Sequence, residues 1–571
     1  MKRTAALDPV TVTILWDRLV SIADEATTTQ LRAAFSTVVR ESNDFAVSIL
    51  DPSGGTLASA RVGLPSFIGT QPVTLQAALL EFPLDSLHEG DVIITNNPWI
   101  STAQLMDITL FAPIFKHGRV VAFAGSVAHS PDLGGTQRLA QSADVFEDGL
   151  FIPLMKLMSA GRPNDDLFKI IRANCRHPSR TLGDLEAQLS ALKIINDRLL
   201  QLMNEYALDD CDALIDEIYG RSERAIQEAI AAITDGTYRS EVELDNLLPD
   251  PVTGRIERPG EPIVIRVTIT VDGTRLKVDY TNSSPQLRNS TNSIWPYTRA
   301  YTAYALRLML VSFLPNNWGF SRSLEVISPS GTIVNAEFPA PTNNRHVIGQ
   351  QVCDAIFTAL AKAIPDRVMA PGGGTPNWIL FLAGEDRYGG RFSRLFPVNG
   401  GLGAFPEKDG EVGAFPANLA STPIEMVEAE QPVVFHAKEL ICDSAGPGRH
   451  RGGLGQRLSV SVQKETMYTV LAGKINHPPQ GLLGGLDGRA GRLLLNGETV
   501  PPGDGVLRPG DVLTLETPGG GGLHPPSERS PDRVEADVRE GLVSAEEARE
   551  RYGVEPDPDW LAGQVPESGS Q

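Results

Sequence analysis

The chain has 571 residues, of which 41% are hydrophobic and 21% are charged, and its formal net charge at pH 7 is −20. This composition is typical of a globular protein with large cores and excludes intrinsic disorder for the chain as a whole. The acidic balance argues against nucleic acid or an anionic membrane as a partner, because both bind basic surfaces. The N-terminus lacks the apolar core of a signal peptide, and no apolar run reaches the roughly 18 residues of a membrane span, so we expect a cytoplasmic protein.

A helix is predicted over residues 8–40, because Asp8 can cap it, Pro9 suits its first turn, and apolar residues recur at helical spacing. A strand is predicted over residues 45–51. Asp44 therefore lies at a helix-to-strand junction, where it is either a capping or turn residue or part of a functional site.

The segment over residues 90–135 carries the strongest functional signal. Apolar and β-branched runs predict buried strands over residues 92–95, 108–115 and 120–127, and the turn over residues 116–119 joins the last two. Polar side chains collect at the strand ends, where a rigid scaffold usually presents chemistry. These residues are Asn96, Asn97, Gln104, Asp107, His129 and Asp132. We therefore interpret this segment as the active-site segment.

A metal site is one interpretation of these side chains. If the turn makes the two strands neighbours, it folds His129 back near Asp107. Together with Gln104 and Asp44 they form a mixed nitrogen and oxygen donor set, which suits Zn or Mn in a catalytic site with an open position. The alternative is that His129 is a hydrogen-bonded core histidine and Asp107 a turn residue, and spacing alone does not exclude it.

A second carboxylate cluster follows within residues 139–152 and consists of Asp144, Glu147 and Asp148. Beside a metal site, such a group could support the ligands or act as a general base. The alternative is a solvated acidic loop.

The middle of the chain alternates between helical and strand patterns. Residues 167–233 predict one long helix, or two helices broken near residues 207–210. Residues 239–282 change to a period of two and predict a hairpin or meander. Helices are predicted again over residues 299–313 and 347–364.

Beyond residue 380 the chain is punctuated by glycine, which we interpret as tight turns between short strands. A charged helical hairpin is predicted over residues 530–554 and disorder over residues 555–571. The fold class is therefore mixed α/β (α+β), with a site-bearing N-terminal sheet, a long helical segment and a glycine-rich β region. The expected domains are residues 1–235, 236–380, 381–528 and 529–571.

Several motifs, taken in their order along the chain, resemble the hydantoinase B/oxoprolinase family. The motifs are Asn96-Asn97-Pro98, Leu105 with Asp107, Ala128-His129 with Asp132-Leu133-Gly134-Gly135, Gly183-Asp184-Leu185, Thr422-Pro423-Ile424-Glu425, the glycine- and arginine-rich run over residues 446–455, Leu482-Leu483-Gly484-Gly485, and Thr517-Pro518 with the four glycines at 519–522. The resemblance covers roughly residues 8–553.

The resemblance implies a B-type subunit or domain of an ATP-dependent hydantoinase, 5-oxoprolinase or lactamase. The large subunits of acetone- and acetophenone-type carboxylases are similar to this family. In the family the B part holds a divalent metal, and a separate A-type partner holds the ATP site. We therefore expect an A-type partner, in an α2β2 assembly. No GxxxxGK[ST] motif is present in this chain, so we expect no ATPase activity from it alone.

Carried over residue by residue, the resemblance implies metal ligands at Asp44, Asp107 and His129, and places a second family histidine at Gln104. Glutamine is a weaker ligand for zinc than imidazole. Three outcomes remain open: a weakened site, a harder metal such as Mn or Mg, or no metal. Asp132 or Asp148 is the expected general base.

The function implied in this way is ring opening of a hydantoin, 5-oxoproline or lactam whose carbonyl the A-type subunit has activated with ATP. One alternative is a subunit of an ATP-dependent ketone carboxylase. The other is a scaffold subunit with a degraded metal site and no catalytic role, which the replacements at Gln104 and Asn97 favour.

Overall fold

A computed structural model of the chain describes residues 8–136, 142–374, 378–413 and 420–557. The segment predicted to be disordered lies outside the described residues from residue 558 onward. The described part combines helices with several β-sheets, so the chain is a mixed α/β protein, as predicted. Nowhere in these ranges is a helix both long enough and apolar enough to cross a membrane.

The helices of the described residues agree with some of the predicted boundaries and differ from others. They are α1 (Pro9–Ala33), α2 (Thr37–Arg40), α3 (Pro65–Glu81), α4 (Asp165–Asn174), α5 (Pro178–Glu205), α6 (Asp212–Ala231), α7 (Trp295–Val311), α8 (Arg345–Leu360), α9 (Ile424–Glu430), α10 (Pro531–Arg539) and α11 (Ala545–Tyr552). The single helix predicted over residues 8–40 is wrong, because the backbone is extended at Ala34 and the Ser36 hydroxyl caps a new helix by accepting from the N–H of Val39. The break predicted near residues 207–210 is present between α5 and α6, but the prediction of at most two helices over residues 167–233 is wrong. A further break separates α4 from α5, which begins at Pro178.

A seven-stranded sheet carries the site segment. Its strands are β1 (Phe45–Leu50), β2 (Thr56–Ser59), β3 (Val92–Thr95), β4 (Asp107–Lys116), β5 (Arg119–His129), β6 (Met155–Ser159) and β7 (Arg162–Pro163). Their order is β2-β1-β5-β4-β3-β6-β7, and every pairing is antiparallel. The strands predicted over residues 92–95, 108–115 and 120–127 are thereby confirmed.

The central strands are buried on both faces, which is why they read as nearly unbroken apolar runs. Leu110 packs into the core formed with α1 and α5, whereas its neighbour Phe111 packs with Leu75 of α3 on the other face. Strands β4 and β5 are joined by a tight turn in which His117 and Gly118 have positive φ values of 51° and 76°. Two-residue turns with positive φ are favoured in hairpins because they match the twist of the strands they join.

A second sheet lies behind the site and supports it. Its strands are β8 (Gly236–Leu244), β9 (Ile263–Asp272), β10 (Arg275–Asp279) and β11 (Leu324–Ile327), in the order β11-β10-β9-β8. Helix α8 packs on β8 and β9, and α7 packs between α8 and α3 of the N-terminal part. This packing brings the first residues of α8 to the end of the seven-stranded sheet where β4 begins and β5 ends, which is where the polar side chains collect.

The glycine-rich region forms two further sheets. Its strands are β12 (Trp378–Glu385), β13 (Arg391–Val398), β14 (Val433–Leu440), β15 (Gln456–Val462), β16 (Thr466–Leu471), β17 (Arg492–Leu495), β18 (Glu498–Thr499), β19 (Gly503–Leu507) and β20 (Val512–Glu516). The strand orders are β13-β12-β16-β19 and β14-β15-β20-β17-β18. Residues 519–522 are not the tight turn expected from the sequence: a Cβ on Gly520 would lie 1.9 Å from the carbonyl oxygen of Leu402, so glycine is required for backbone-to-backbone packing.

Candidate functional site

Asp107 and His129 lie opposite each other where β4 begins and β5 ends. They are register partners in the antiparallel β4–β5 ladder, so the hairpin brings together two residues that are 22 positions apart in the chain. The Nδ1 atom of His129 and the Oδ1 atom of Asp107 are 2.8 Å apart, and both residues are buried. The predicted convergence of these side chains is therefore present, and so is the hydrogen-bonded histidine of the alternative interpretation.

Asp44 reaches the same place through β1, which pairs with β5 on its other side. Phe45 faces Ala128 in that ladder, and the Asp44 carbonyl oxygen accepts from the backbone N–H of His129 at 3.0 Å. The Asp44 Oδ2 atom lies 3.9 Å from Nδ1 of His129, which is an ion-pair distance and too long for a hydrogen bond. Two carboxylates therefore face the same ring nitrogen.

Arg345, the first residue of α8, enters this group from the second part of the chain. Its guanidinium donates to Oδ2 of Asp107 at 2.6 Å and also to the side-chain oxygen of Gln104. The guanidinium carbon lies 5.0 Å from the centre of the Tyr297 ring, a cation–π distance. One arginine thus joins two of the residues that the resemblance implies as metal ligands.

Asn343 extends the network to Asp148. The Gln104 amide donates to the backbone oxygen and to the side-chain oxygen of Asn343, at 3.2 Å each. The Asn343 amide in turn donates to Oδ1 of Asp148 at 2.5 Å. A chain of polar contacts therefore begins at Asp148 and ends at His129, and its intermediate members are Asn343, Gln104, Arg345 and Asp107. Asp148 is buried and is not part of a solvated acidic loop.

The buried charges shift the titration of the carboxyl groups in opposite directions. Burial and the neighbouring Asp107 raise the pKa of Asp44 to about 6, against the opposing effect of His129. Burial would also raise the pKa of Asp107, but the cationic Arg345 and the hydrogen bond to His129 outweigh it and lower that pKa. Asp107 is thereby kept ionised, whereas Asp44 is able to exchange a proton near neutral pH.

His129 and Asp148 are the other two groups with altered proton affinity. Burial acts to lower the pKa of His129, but the hydrogen bond to Asp107 and the charge of Asp44 raise it overall. Burial raises the pKa of Asp148 to about 7. A histidine with two carboxylates at Nδ1 keeps its proton on that nitrogen and leaves Nε2 to accept another.

Asp132, the other predicted general base, is held elsewhere. Its carboxylate accepts from the backbone N–H of Gly134 at 3.0 Å, from the Arg176 guanidinium at 2.8 Å and from the backbone N–H of His177 at 3.2 Å. Among the described residues, no hydrogen bond or ion pair joins it to Asp107 or His129. Its contacts are those of a residue that fixes a loop against the start of α5.

The side chains as arranged do not fit a divalent metal. Each oxygen of Asp107 has a partner, His129 on one side and Arg345 on the other, and the Gln104 oxygen also accepts from Arg345. A divalent ion about 4 Å from that guanidinium would be repelled by about 8 kcal/mol at an effective dielectric constant of about 20. Within the described ranges, no group of three or more His, Cys, Asp or Glu residues could hold a metal ion.

Sequence reasoning missed Arg345, Asn343 and Tyr297. A signal was present in the polar run Asn343-Asn344-Arg345-His346, which the prediction left outside a helix expected to begin at Val347. A positive charge in the first turn of a helix opposes the helix dipole. Such a local conflict often marks a residue that is needed by a site.

Comparisons with known proteins show the family to which the chain belongs. Residues 8–526 match the family described as hydantoinase B/oxoprolinase, and the chain belongs to that family. Caprolactamase subunit beta of Pseudomonas jessenii is 29% identical over 574 residues, which cover 96% of this chain and 96% of that protein.

Two solved structures have the same fold. The crystal structure of ATP-dependent caprolactamase from Pseudomonas jessenii aligns with a TM-score of 0.87 and 28% identity over 98% of each chain. A nucleotide-free structure of acetone carboxylase aligns with a TM-score of 0.85 over 96% of this chain and 79% of that chain. Its identity of 18% makes it a likeness of fold alone.

Proposed function

We propose that this chain is the B-type subunit of an ATP-dependent enzyme that opens a cyclic amide by hydrolysis. Family membership supports this proposal, as does the likeness along the whole chain to a caprolactamase subunit, since caprolactam is a cyclic amide. The observation that carries the proposal is the buried Asp107–His129 pair, joined at 2.8 Å at the end of two paired strands.

His129 is the proposed general base. Asp107 accepts from Nδ1, which fixes the ring orientation and leaves Nε2 to remove a proton from an attacking water. The raised pKa of His129 makes Nε2 a stronger proton acceptor than an isolated imidazole. Asp44, whose oxygen lies 3.9 Å from Nδ1, stabilises the cationic ring that results.

An unstrained amide is a poor electrophile, so the ring carbonyl needs activation before water can attack it. We propose that an A-type partner subunit, in an α2β2 assembly, transfers the γ-phosphoryl group of ATP to that carbonyl oxygen. Water then adds to the carbon, with His129 taking its proton. The carbon–nitrogen bond then breaks, the ring nitrogen takes up the proton held by His129 and the proton of the new hydroxyl group, and an acyl phosphate remains. A second water, which loses a proton to His129, attacks the acyl carbon and displaces phosphate, which leaves the ring-opened carboxylic acid.

Carboxylation of a ketone is the weaker alternative. The likeness to acetone carboxylase extends to the fold only, and none of the contacts at Asp107, His129 or Arg345 favours a ketone over an amide. The hydrolase is therefore the function we put to the test.

The test is to produce the chain together with an A-type partner from the same genome and screen hydantoins, 5-oxoproline and lactams with ATP. Release of the ring-opened acid together with ADP and phosphate is the expected result. Parallel reactions with ketones, ATP and bicarbonate test the alternative. A carboxylated product from a ketone, with no ring opening of any cyclic amide, would overturn the proposal.

A further inference from the structure

We propose that the guanidinium of Arg345 is the resident cation of this site and takes the place of a divalent metal, so that the site is complete without a bound ion. The inference concerns what the site contains, and it holds whichever substrate the site receives. Its tests therefore read metal content and do not depend on turnover.

The guanidinium of Arg345 matches the geometry of its two acceptors. One arm donates to Oδ2 of Asp107 at 2.6 Å and another donates to the side-chain oxygen of Gln104. Guanidinium presents several donors in a rigid plane, and two acceptors three residues apart, one just before β4 and one on its first residue, suit that geometry. These are the same two side chains that a metal ion would need as ligands.

The glutamine at position 104 suits a guanidinium better than it suits a metal ion. Its amide oxygen accepts from Arg345, and its amide nitrogen donates at 3.2 Å to both oxygens of Asn343. These contacts fix the amide so that the oxygen faces the arginine. A glutamine is a weak zinc ligand but a good acceptor for a guanidinium, so the departure at Gln104 and the presence of Arg345 have one explanation.

Arg345 lies at a position in the fold that is unfavourable for an unpaired positive charge. It is the first residue of α8, where the helix dipole disfavours a positive charge, and only 6% of its surface is exposed. Burial of a charged side chain is unfavourable unless the charge is paired and hydrogen-bonded. The ion pair with Asp107 and the contact with the Tyr297 ring provide that compensation. Arg345 is therefore stabilised at this position by its contacts in the site and not by the helix that carries it.

The experiment compares metal content across a set of variants of the full chain, purified without chelators and incubated with Zn²⁺ or Mn²⁺. The wild type, Gln104→His alone and Arg345→Lys are expected to hold less than about 0.1 metal ion per chain after desalting. The double variant Gln104→His with Arg345→Ala is expected to hold about one ion per chain and to unfold at a higher temperature when the metal is added.

The matched control combines Gln104→His with Arg299→Ala. Arg299 is also a buried arginine, but it lies against Trp318 at 4.6 Å from the ring centre and forms no ion pair with a carboxylate among the described residues. This control is expected to remain free of metal, which separates the loss of Arg345 from the loss of any buried positive charge.

Two results would overturn the inference. One is a wild-type protein that holds about one ion per chain and loses it on Asp107→Asn. The other is a folded double variant that takes up no metal, because Arg345 would then not be what keeps a metal out. If the double variant does not fold, the wild-type measurement decides alone: a metal-free wild type whose unfolding temperature does not respond to Zn²⁺ or Mn²⁺ supports the inference.

Discussion

Asn343 and Asp148 are 195 residues apart in the chain, yet the Asn343 amide donates to the Asp148 carboxylate at 2.5 Å. The same asparagine accepts from Gln104 through two oxygens. Asn343 therefore ties the loop before β4, the loop that carries Asp148 and the start of α8 into one polar network. Every member of that network is buried, so changes in its charge should be visible in stability as well as in activity.

Asp148→Asn should change how stability depends on pH. Burial raises the pKa of Asp148 from its ordinary 3.8 to about 7, so the folded state holds this proton more tightly than the unfolded state. The resulting stabilisation is complete below about pH 4 and is lost as the pH rises through about 7. An uncharged asparagine removes that loss, so the variant should gain up to about 3 kcal/mol over the wild type between pH 5 and pH 8.

The measurement is urea denaturation of both proteins at several pH values, with the apparent midpoints compared across the series. Asp166→Asn is a suitable control, because that carboxylate is exposed at the start of α4. A constant difference between Asp148→Asn and the wild type at every pH would show that Asp148 is ionised throughout this range.

His129→Asn should abolish most of the turnover of the assembled enzyme. The asparagine amide can still donate to Asp107, which preserves the buried contact, but it has no second nitrogen to accept a proton from water. A general base typically contributes about 10²- to 10⁴-fold to rate, and a loss in kcat of that size is expected with little change in KM. His436→Asn, which alters a histidine on β14 bonded to Ser461, is the matched control and should keep full activity.

Asp132→Asn should behave in the opposite way. The substitution removes the charge that pairs with Arg176 and weakens two contacts to backbone N–H groups. A loss of about 1–3 kcal/mol in stability is expected from these bonds. The kcat of the folded, assembled variant should stay within about twofold of the wild type. A large fall in kcat without loss of stability would instead make Asp132 the general base.

The sequence was sufficient to predict the strands of the site and one of its contacts. The runs over β3, β4 and β5 are apolar because both faces of the sheet are covered, and that burial leaves a signal within a few residues. Asp107 and His129 could be paired because a single tight turn separates their strands. In both cases the information is local in the chain.

The cation of the site could not be predicted in the same way. Arg345 lies 238 residues from Asp107, and Asn343 lies 239 residues from Gln104. Their approach depends on how α8 packs on the second sheet and how α7 bridges α8 and α3, and no periodicity in the sequence encodes that packing. The resemblance implies a metal because it assigns ligands one position at a time. It does not show that Arg345, which is distant in the chain, contacts two of those positions.

Gly520→Ala should be among the most damaging single substitutions in the glycine-rich region. The added methyl group would lie 1.9 Å from the Leu402 carbonyl oxygen, and the Gly520 backbone is also fixed by hydrogen bonds with Gly446 and Gly453. Because the clash is with backbone, it cannot be relieved by a side-chain rotation, and we expect a loss of more than about 4 kcal/mol or insoluble protein. Gly497→Ala is the control: its φ of +84° carries a local cost of about 1–2 kcal/mol, but nothing lies within 4 Å of the added atom. The measurement is the unfolding temperature of each variant relative to the wild type. Equal decreases in the two variants would mean that the loop containing Gly520 is free to move away from Leu402.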